Sequence, residues 1–134
     1  MKEIINRSDC PISYGLDLFG DKWSLLVIRD LVFDQKRFFK EFQQSKEKIA
    51  TNILSDRLKR LETAGIIESR VYEKQKTQKV YTLTQKGKDL IPVLVEIILW
   101  SAKYENGLAV TEEFVEKATK YRSKVVKNIT NSLN

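Results

Sequence analysis

The sequence of 134 residues contains no histidine and only one cysteine, Cys10. Without histidine, the chain lacks the usual general base near neutral pH and a common metal ligand. A single cysteine cannot form an internal disulfide or a thiolate zinc cluster. These absences exclude most routes to an enzyme, so we expect no catalytic residue, no metal and no cofactor.

Long apolar segments are also missing. The longest apolar run, Leu90 to Trp100, has 11 residues and includes Glu96, whereas a membrane-spanning helix needs about 20. Residues 1–15 alternate charged and apolar types and lack the apolar core of a signal peptide. We therefore expect a cytoplasmic protein with no membrane partner, and the lone thiol agrees with that compartment.

The residues that are present suit one globular domain over residues 1–134, with 42% hydrophobic and 31% charged residues. The charge is unevenly distributed. Residues 35–90 contain 14 Lys and Arg against 7 Asp and Glu, whereas the rest of the chain contains 10 against 11. This concentration of positive charge favours binding to a polyanion, and the alternative is a solvated lysine-rich face.

The spacing of apolar residues predicts four helices in the first half of the chain, over residues 11–20, 22–32, 38–44 and 50–64. Asp21 is a candidate N-cap for the second helix. In the fourth, Leu54, Leu58 and Leu61 recur on one helical face, and Gly65 is suited to end the helix.

The second half begins with a predicted hairpin, because residues 66–72 and 78–84 are rich in β-branched and aromatic types. The polar segment 73–77 between them predicts a loose tip rather than a two-residue turn. Thr84 is a candidate cap for a long helix through residues 90–104, and Pro92 inside it predicts a kink near Lys88. Thr111 would cap a last helix. The apolar face of that helix would be Phe114, Ala118, Tyr121 and Val125.

A short helix, a tight turn, a second helix and a basic hairpin follow one another in the order of a winged helix-turn-helix. We therefore predict a mainly α-helical fold with a small β-hairpin (α+β), extended by N- and C-terminal dimerisation helices. In such a fold the helix over residues 50–64 enters the major groove. Residues 72–80 would form a basic wing on the DNA backbone or in the minor groove.

The candidate DNA-binding residues lie mainly on the polar side of the predicted recognition helix and on the wing. They are Arg37, Thr51, Asn52, Ser55, Asp56, Lys59, Arg60, Lys74, Lys76 and Lys79. The amide of Asn52 is suited to pair with adenine, and the basic residues are suited to neutralise phosphates. Asp56 is unusual at such a surface; it would accept from a cytosine amine or orient Lys59 or Arg60.

An ordered set of motifs makes this sequence resemble the bacterial HxlR-type transcriptional regulators, a branch close to the MarR-like winged helices. The motifs are Cys10-Pro11, Gly20 to Arg29, Arg37-Phe38, Ile49, Leu54 to Glu62, Gly65 to Ile67, Tyr81 to Thr84 with Gly87, and Leu90 to Leu94. The resemblance covers about residues 10–100 and implies a homodimeric DNA-binding regulator. Two features depart from the family pattern: Val80 stands where glutamate is usual, and the last helix is longer than the family core requires.

The apolar run over residues 90–100 gives a separate reason to expect a homodimer. Nine of its 11 residues are large and apolar, and a helix that is apolar all round must be covered on several sides. Either a symmetry mate covers it, or the first and last helices of the same chain do. The candidate dimerisation residues, which include two in the 105–134 segment, are Leu94, Ile97, Ile98, Trp100, Phe114 and Tyr121.

Cys10 is a candidate redox sensor. Pro11 suits the first position of a helix, which places Cys10 at the N-cap, where the helix dipole favours a thiolate, although Asp9 opposes it. Some members of the resembled family sense oxidants or electrophiles with a cysteine near this position. The alternative is a half-buried structural thiol, and the identity of any small-molecule or oxidant effector is unknown.

These features favour a sequence-specific transcriptional regulator, a repressor, that binds a two-fold operator in double-stranded DNA as a homodimer. The alternative is a winged-helix module that contacts protein or RNA without specific binding to duplex DNA. An enzyme is disfavoured, because the sequence has no glycine-rich phosphate loop and no nucleophile with a histidine partner.

Overall fold

The computed structural model describes residues 6–133. Within these residues the chain divides into two compact units, with the boundary between residues 87 and 88. The first unit contains α1 (Pro11–Phe19), α2 (Ser24–Val32), α3 (Phe39–Phe42), α4 (Thr51–Thr63), β1 (Ile67–Val71) and β2 (Lys79–Leu83). A short helix, α5 (Gln85–Lys88), lies at the boundary. The second unit contains α6 (Ile91–Tyr104), α7 (Glu112–Lys120) and α8 (Arg122–Asn131).

The core of the first unit contains the predicted leucine stripe of α4. Leu54, Leu58 and Leu61 are all buried, as are Ile28 of α2 and Val80 of β2. Burying a leucine side chain contributes about 2 kcal/mol, so this stripe orients α4 and leaves its opposite side in solvent. The predicted fold class, mainly helical with one small hairpin, is confirmed.

Gly65 ends α4 as the sequence predicted. Its φ of +75° lies in the left-handed region, which glycine adopts without steric cost. The backbone then reverses, and the amide of Ile66 donates to the carbonyl of Leu61 at 2.9 Å. This closing bond satisfies a carbonyl at the helix end and leads the chain into β1.

The two strands form an antiparallel hairpin in which Ile67 is opposite Leu83 and Val71 is opposite Lys79. The tip is longer than a two-residue turn, as predicted, and the amide of Tyr72 donates to the carbonyl of Gln78 at 2.9 Å across its base. The amide of Tyr81 donates to the carbonyl of Arg37 at 2.9 Å. This bond fixes the backbone at residue 37 beside the hairpin.

The start of α2 differs from the prediction. The helix begins at Ser24 rather than at residue 22, and Trp23 is its N-cap. Asp21 nevertheless satisfies two backbone amides at this end, because its carboxylate accepts from those of Trp23 and Ser24 at 3.0 and 3.1 Å.

The predicted kink near Lys88 is wrong, because the chain forms two helices there. Thr84 accepts a hydrogen bond from the amide of Gly87 and so caps only α5. A separate helix, α6, begins at Ile91, with Pro92 in its first turn. Proline is tolerated there because an amide at that position has no partner within the helix.

The predicted last helix is also two helices. Thr111 caps α7 as expected, since its hydroxyl accepts from the amide of Phe114 at 3.0 Å. At Tyr121 the backbone leaves helical geometry, with φ −130° and ψ 54°, and α8 begins at the next residue. The expected apolar face is therefore interrupted: Ala118 is buried, whereas Tyr121 is 62% exposed.

Within residues 6–133, no helix has both the length and the apolar character needed to cross a membrane.

Candidate DNA-binding surface

The polar side of α4 is open to solvent near its first turn. Thr51 and Asn52 are exposed, and Ser55 is half-buried one turn later. The N-cap, Ala50, has no side chain that could accept from the first amides, and the first turn contains no acidic residue. The positive end of the helix dipole is therefore not offset by a local carboxylate, which favours an anionic ligand.

Gln43, which follows α3, was not among the predicted site residues. Its side-chain amide donates to the hydroxyl of Thr51 at 3.1 Å. This contact joins the two helices of the helix-turn-helix at the end where α4 begins. No sequence periodicity links residues 43 and 51, so only the folded chain shows the pairing.

Asp56 does not orient Lys59 or Arg60, and that part of the prediction is wrong. Its carboxylate pairs with Arg57, the neighbouring residue. Lys59 stays exposed on the polar side of the helix. The guanidinium of Arg60 donates to the backbone carbonyl of Asp17 at 3.3 Å, so Arg60 is directed toward α1.

Arg57 also ties α4 to the start of α2. Its Nε donates to the carboxylate of Asp21 at 2.7 Å. Burial by itself would raise the pKa of Asp21, but the hydrogen bonds from Ser24 and Arg57 outweigh it and lower the pKa to about 2. Asp21 is therefore charged near neutral pH and holds Arg57 in place.

The wing presents the expected positive charge. Lys74, Lys76 and Lys79 are exposed. Arg37 is exposed near the base of the hairpin, with its guanidinium 5.7 Å from the centre of the Phe38 ring. The Phe38 ring in turn packs edge-on against Tyr72, with 5.0 Å between ring centres. These contacts place Arg37 beside the wing.

A polar network that the sequence did not reveal holds the turn between α3 and α4. Asp30 of α2 is 2% exposed. It accepts hydrogen bonds from Arg29 and from Ser45 of the turn, and the ammonium of Lys36 is 3.5 Å from it. Arg29 also donates to both carboxylate oxygens of Glu47, at 2.7 and 2.9 Å. These hydrogen bonds lower the pKa of Glu47 to about 2.

The predicted dimerisation residues differ in exposure. Ile97 is 44%, Trp100 67% and Tyr121 62% exposed, whereas Ile98 and Phe114 are half-buried. Leu94 is only 6% exposed and has little surface left for a partner. The helix α6 therefore has one buried face and one apolar face in solvent. On the exposed face the rings of Trp100 and Tyr104 pack with 5.6 Å between their centres.

Cys10 is the N-cap of α1, and Pro11 occupies the first turn, as predicted. The thiol is exposed, so the prediction that it is half-buried is wrong.

Comparison with known proteins identifies the family. Residues 18–108 match the model of the HxlR-like helix-turn-helix. The chain belongs to the HxlR-like helix-turn-helix family. That membership confirms the resemblance based on the ordered motifs and establishes a DNA-binding transcriptional regulator rather than an enzyme.

Three similar proteins illustrate the relationship. BH0655 of Halalkalibacterium halodurans, an uncharacterized HTH-type transcriptional regulator, is 35% identical over 78% of this chain and 93% of its own length. The reduced form of the transcriptional regulator YodB from Bacillus subtilis has 34% identity and a TM-score of 0.58, covering 74% of this chain and 97% of its own. The redox regulator HypR in its oxidized form has 31% identity and a TM-score of 0.63, and the match covers 73% of this chain and 100% of the HypR chain.

Proposed function

We propose that this HxlR-like protein represses transcription by binding, as a homodimer, to a two-fold operator in double-stranded DNA. The observation that carries the proposal is the exposed first turn of α4, which combines uncapped helix amides with Thr51 and Asn52. In a helix-turn-helix, residues at this end of the second helix contact the base edges. Because the proposed ligand is double-stranded DNA, we also propose that the protein acts in the cytoplasm.

The exposed apolar face of α6 supports the homodimer. Ile97, Trp100 and Tyr104 are spaced so that they lie on one side of the helix, and all three are exposed. Large apolar residues grouped on one face favour an interface with another protein surface. A second copy of the chain would match the two-fold symmetry of an operator.

Base reading is tested with Asn52→Ala and Ser55→Ala. Each variant is expected to lower the preference for operator over random duplex DNA, by about 1–3 kcal/mol where a bidentate base contact is lost. Binding to random DNA should barely change. The measurement is a fluorescence anisotropy titration with both duplexes, and the control is Thr63→Ala at the other end of α4. Equal losses on both duplexes would contradict the proposed orientation of α4.

Phosphate binding by the wing is tested with the double variant Lys74→Ala/Lys76→Ala. The logarithm of the binding constant falls with the logarithm of salt concentration by about 0.9 per neutralised phosphate. Removing two contacts should therefore flatten the slope by roughly two and weaken all sequences similarly. The matched control is Lys124→Ala/Lys127→Ala, which removes two exposed lysines of α8. If the wing variant keeps the wild-type salt slope, the wing does not contact DNA phosphates.

Cys10 is proposed as a redox-responsive thiol. Its exposure at the N-cap of α1 supports this role, and the similar protein HypR is a redox regulator with an oxidized form. Diamide accepts two hydrogens, so two thiols lose them and form one disulfide, either between the Cys10 residues of two protomers or with a small thiol. We expect diamide to change operator affinity in the wild type and not in Cys10→Ser. An equal response in both proteins would exclude Cys10 as the sensor.

The alternative function is a winged-helix module for protein or RNA contacts. It predicts binding of the wild type to duplex DNA that is weak and independent of operator sequence. The same titrations distinguish the two functions, because only the proposed regulator prefers one duplex.

A further inference from the structure

The turn between α3 and α4 carries two exposed lysines that the recognition helix and the wing do not account for. Lys46 and Lys48 lie within five residues of the start of α4. Within residues 6–133, neither ammonium has a carboxylate within ion-pair distance. Both charges are therefore available to a ligand.

The carboxylate between these lysines is paired with an arginine of the same unit. Arg29 of α2 donates to both oxygens of Glu47, at 2.7 and 2.9 Å. A bidentate arginine–carboxylate pair of this kind fixes the relative orientation of the two side chains and also pairs their charges. The segment Lys46-Glu47-Lys48 consequently presents two positive charges, while its negative charge is balanced by an arginine of α2.

The backbone that carries the lysines is held in place. Ser45 donates to Asp30 and accepts from the ammonium of Lys36 at 3.0 Å. The amide of Lys48 donates to the carbonyl of Ser45 at 3.0 Å. Because the turn is already ordered, a ligand that binds there loses less of its binding free energy to ordering the chain.

We propose that Lys46 and Lys48 form a second phosphate-binding element, which contacts the DNA backbone beside the groove that α4 enters. Arg29 is a positioning residue that keeps the negative charge of Glu47 balanced and away from that backbone. The inference rests on the proposed orientation of α4 on DNA. The hydrogen bond between Gln43 and Thr51 supports the placement, because it holds the turn beside the first turn of α4.

The phosphate contact is tested by titrating operator and random duplex DNA over a series of salt concentrations. Lys46→Ala/Lys48→Ala is expected to flatten the salt slope by roughly two. Affinity for both duplexes should fall by the same factor, so the ratio between them stays unchanged. The control Lys124→Ala/Lys127→Ala should keep the wild-type slope.

The outcomes separate this inference from the proposed function. One result would exclude the phosphate-binding element and leave the proposed function standing. In that result, Lys46→Ala/Lys48→Ala keeps the wild-type salt slope, whereas the salt slope of Lys74→Ala/Lys76→Ala is flatter by about two. If the wild type shows no salt-dependent binding to duplex DNA, both are overturned.

The positioning role of Arg29 is tested by charge rescue. Arg29→Gln leaves Glu47 without its partner and removes one of the two cations beside Asp30, and we expect severalfold weaker binding to both duplexes. Arg29→Gln/Glu47→Gln should recover the part of that loss that comes from the unpaired negative charge of Glu47, because that charge is gone. Arg29→Lys keeps the positive charge but not the bidentate geometry. Its affinity for both duplexes should lie between those of the wild type and Arg29→Gln. A double variant no better than Arg29→Gln would show that Arg29 acts only through the stability of the fold and would overturn its positioning role.

Discussion

Asp30→Ala is expected to lower the free energy of unfolding by about 3 kcal/mol, because removing one partner of a buried ion pair leaves the others uncompensated. The carboxylate accepts from Arg29 at 2.8 and 3.1 Å and from Ser45, and it lies 3.5 Å from the ammonium of Lys36. Its side chain is 3% exposed, whereas those of Arg29 and Lys36 are 29% and 18% exposed. Water can therefore solvate the two cations in part when their partner is removed. For this reason the expected loss of unfolding free energy is at the lower end of the values for buried ion pairs.

Urea unfolding followed by circular dichroism measures this loss. The matched control is Asp34→Ala, an exposed aspartate just beyond α2, which should change stability by less than about 0.5 kcal/mol. Asp30→Asn keeps the shape of the side chain and should be destabilised less than Asp30→Ala. An Asp30→Ala protein as stable as the control would show that the network does not stabilise the fold.

If the protein forms the proposed homodimer, Trp100→Asp is expected to convert it to a monomer and to weaken operator binding by about 100-fold or more. The indole is 67% exposed on the apolar face of α6 and packs on Tyr104. A carboxylate there would have to be desolvated without a partner when two copies associate. The monomer would then bind each half-site separately and lose the gain of a linked second contact, which ranges from about 10² to 10⁴.

Light scattering after size-exclusion chromatography measures the mass, and an operator titration measures the affinity. Phe33→Asp is the matched control, because this residue is also a large exposed apolar side chain, at 38%, but lies in the first unit. The control should remain a dimer with wild-type affinity. A dimeric Trp100→Asp protein would place the interface elsewhere.

The sequence alone was sufficient for the elements whose signals are local. The leucine stripe of α4, the reversal at Gly65, the proline at the start of α1 and the two separate strand segments each depend on residues within a few positions of one another. Local spacing and backbone preference therefore predicted them. The ordered motifs were also sufficient for the family, because membership depends on sequence rather than on contacts.

Only the folded chain showed what depends on distant residues. Arg29 pairs with Glu47 across 18 positions and Asp30 with Ser45 across 15, and no periodicity connects such partners. The same reason explains the wrong prediction for Asp56, whose neighbour Arg57 is held in place by Asp21, 36 residues away. The apolar run in α6 indicated that other surfaces must pack against this helix. Which of its residues are buried depends on the elements that lie on each side of it. Tertiary structure therefore determined that Leu94 is buried and Trp100 is exposed.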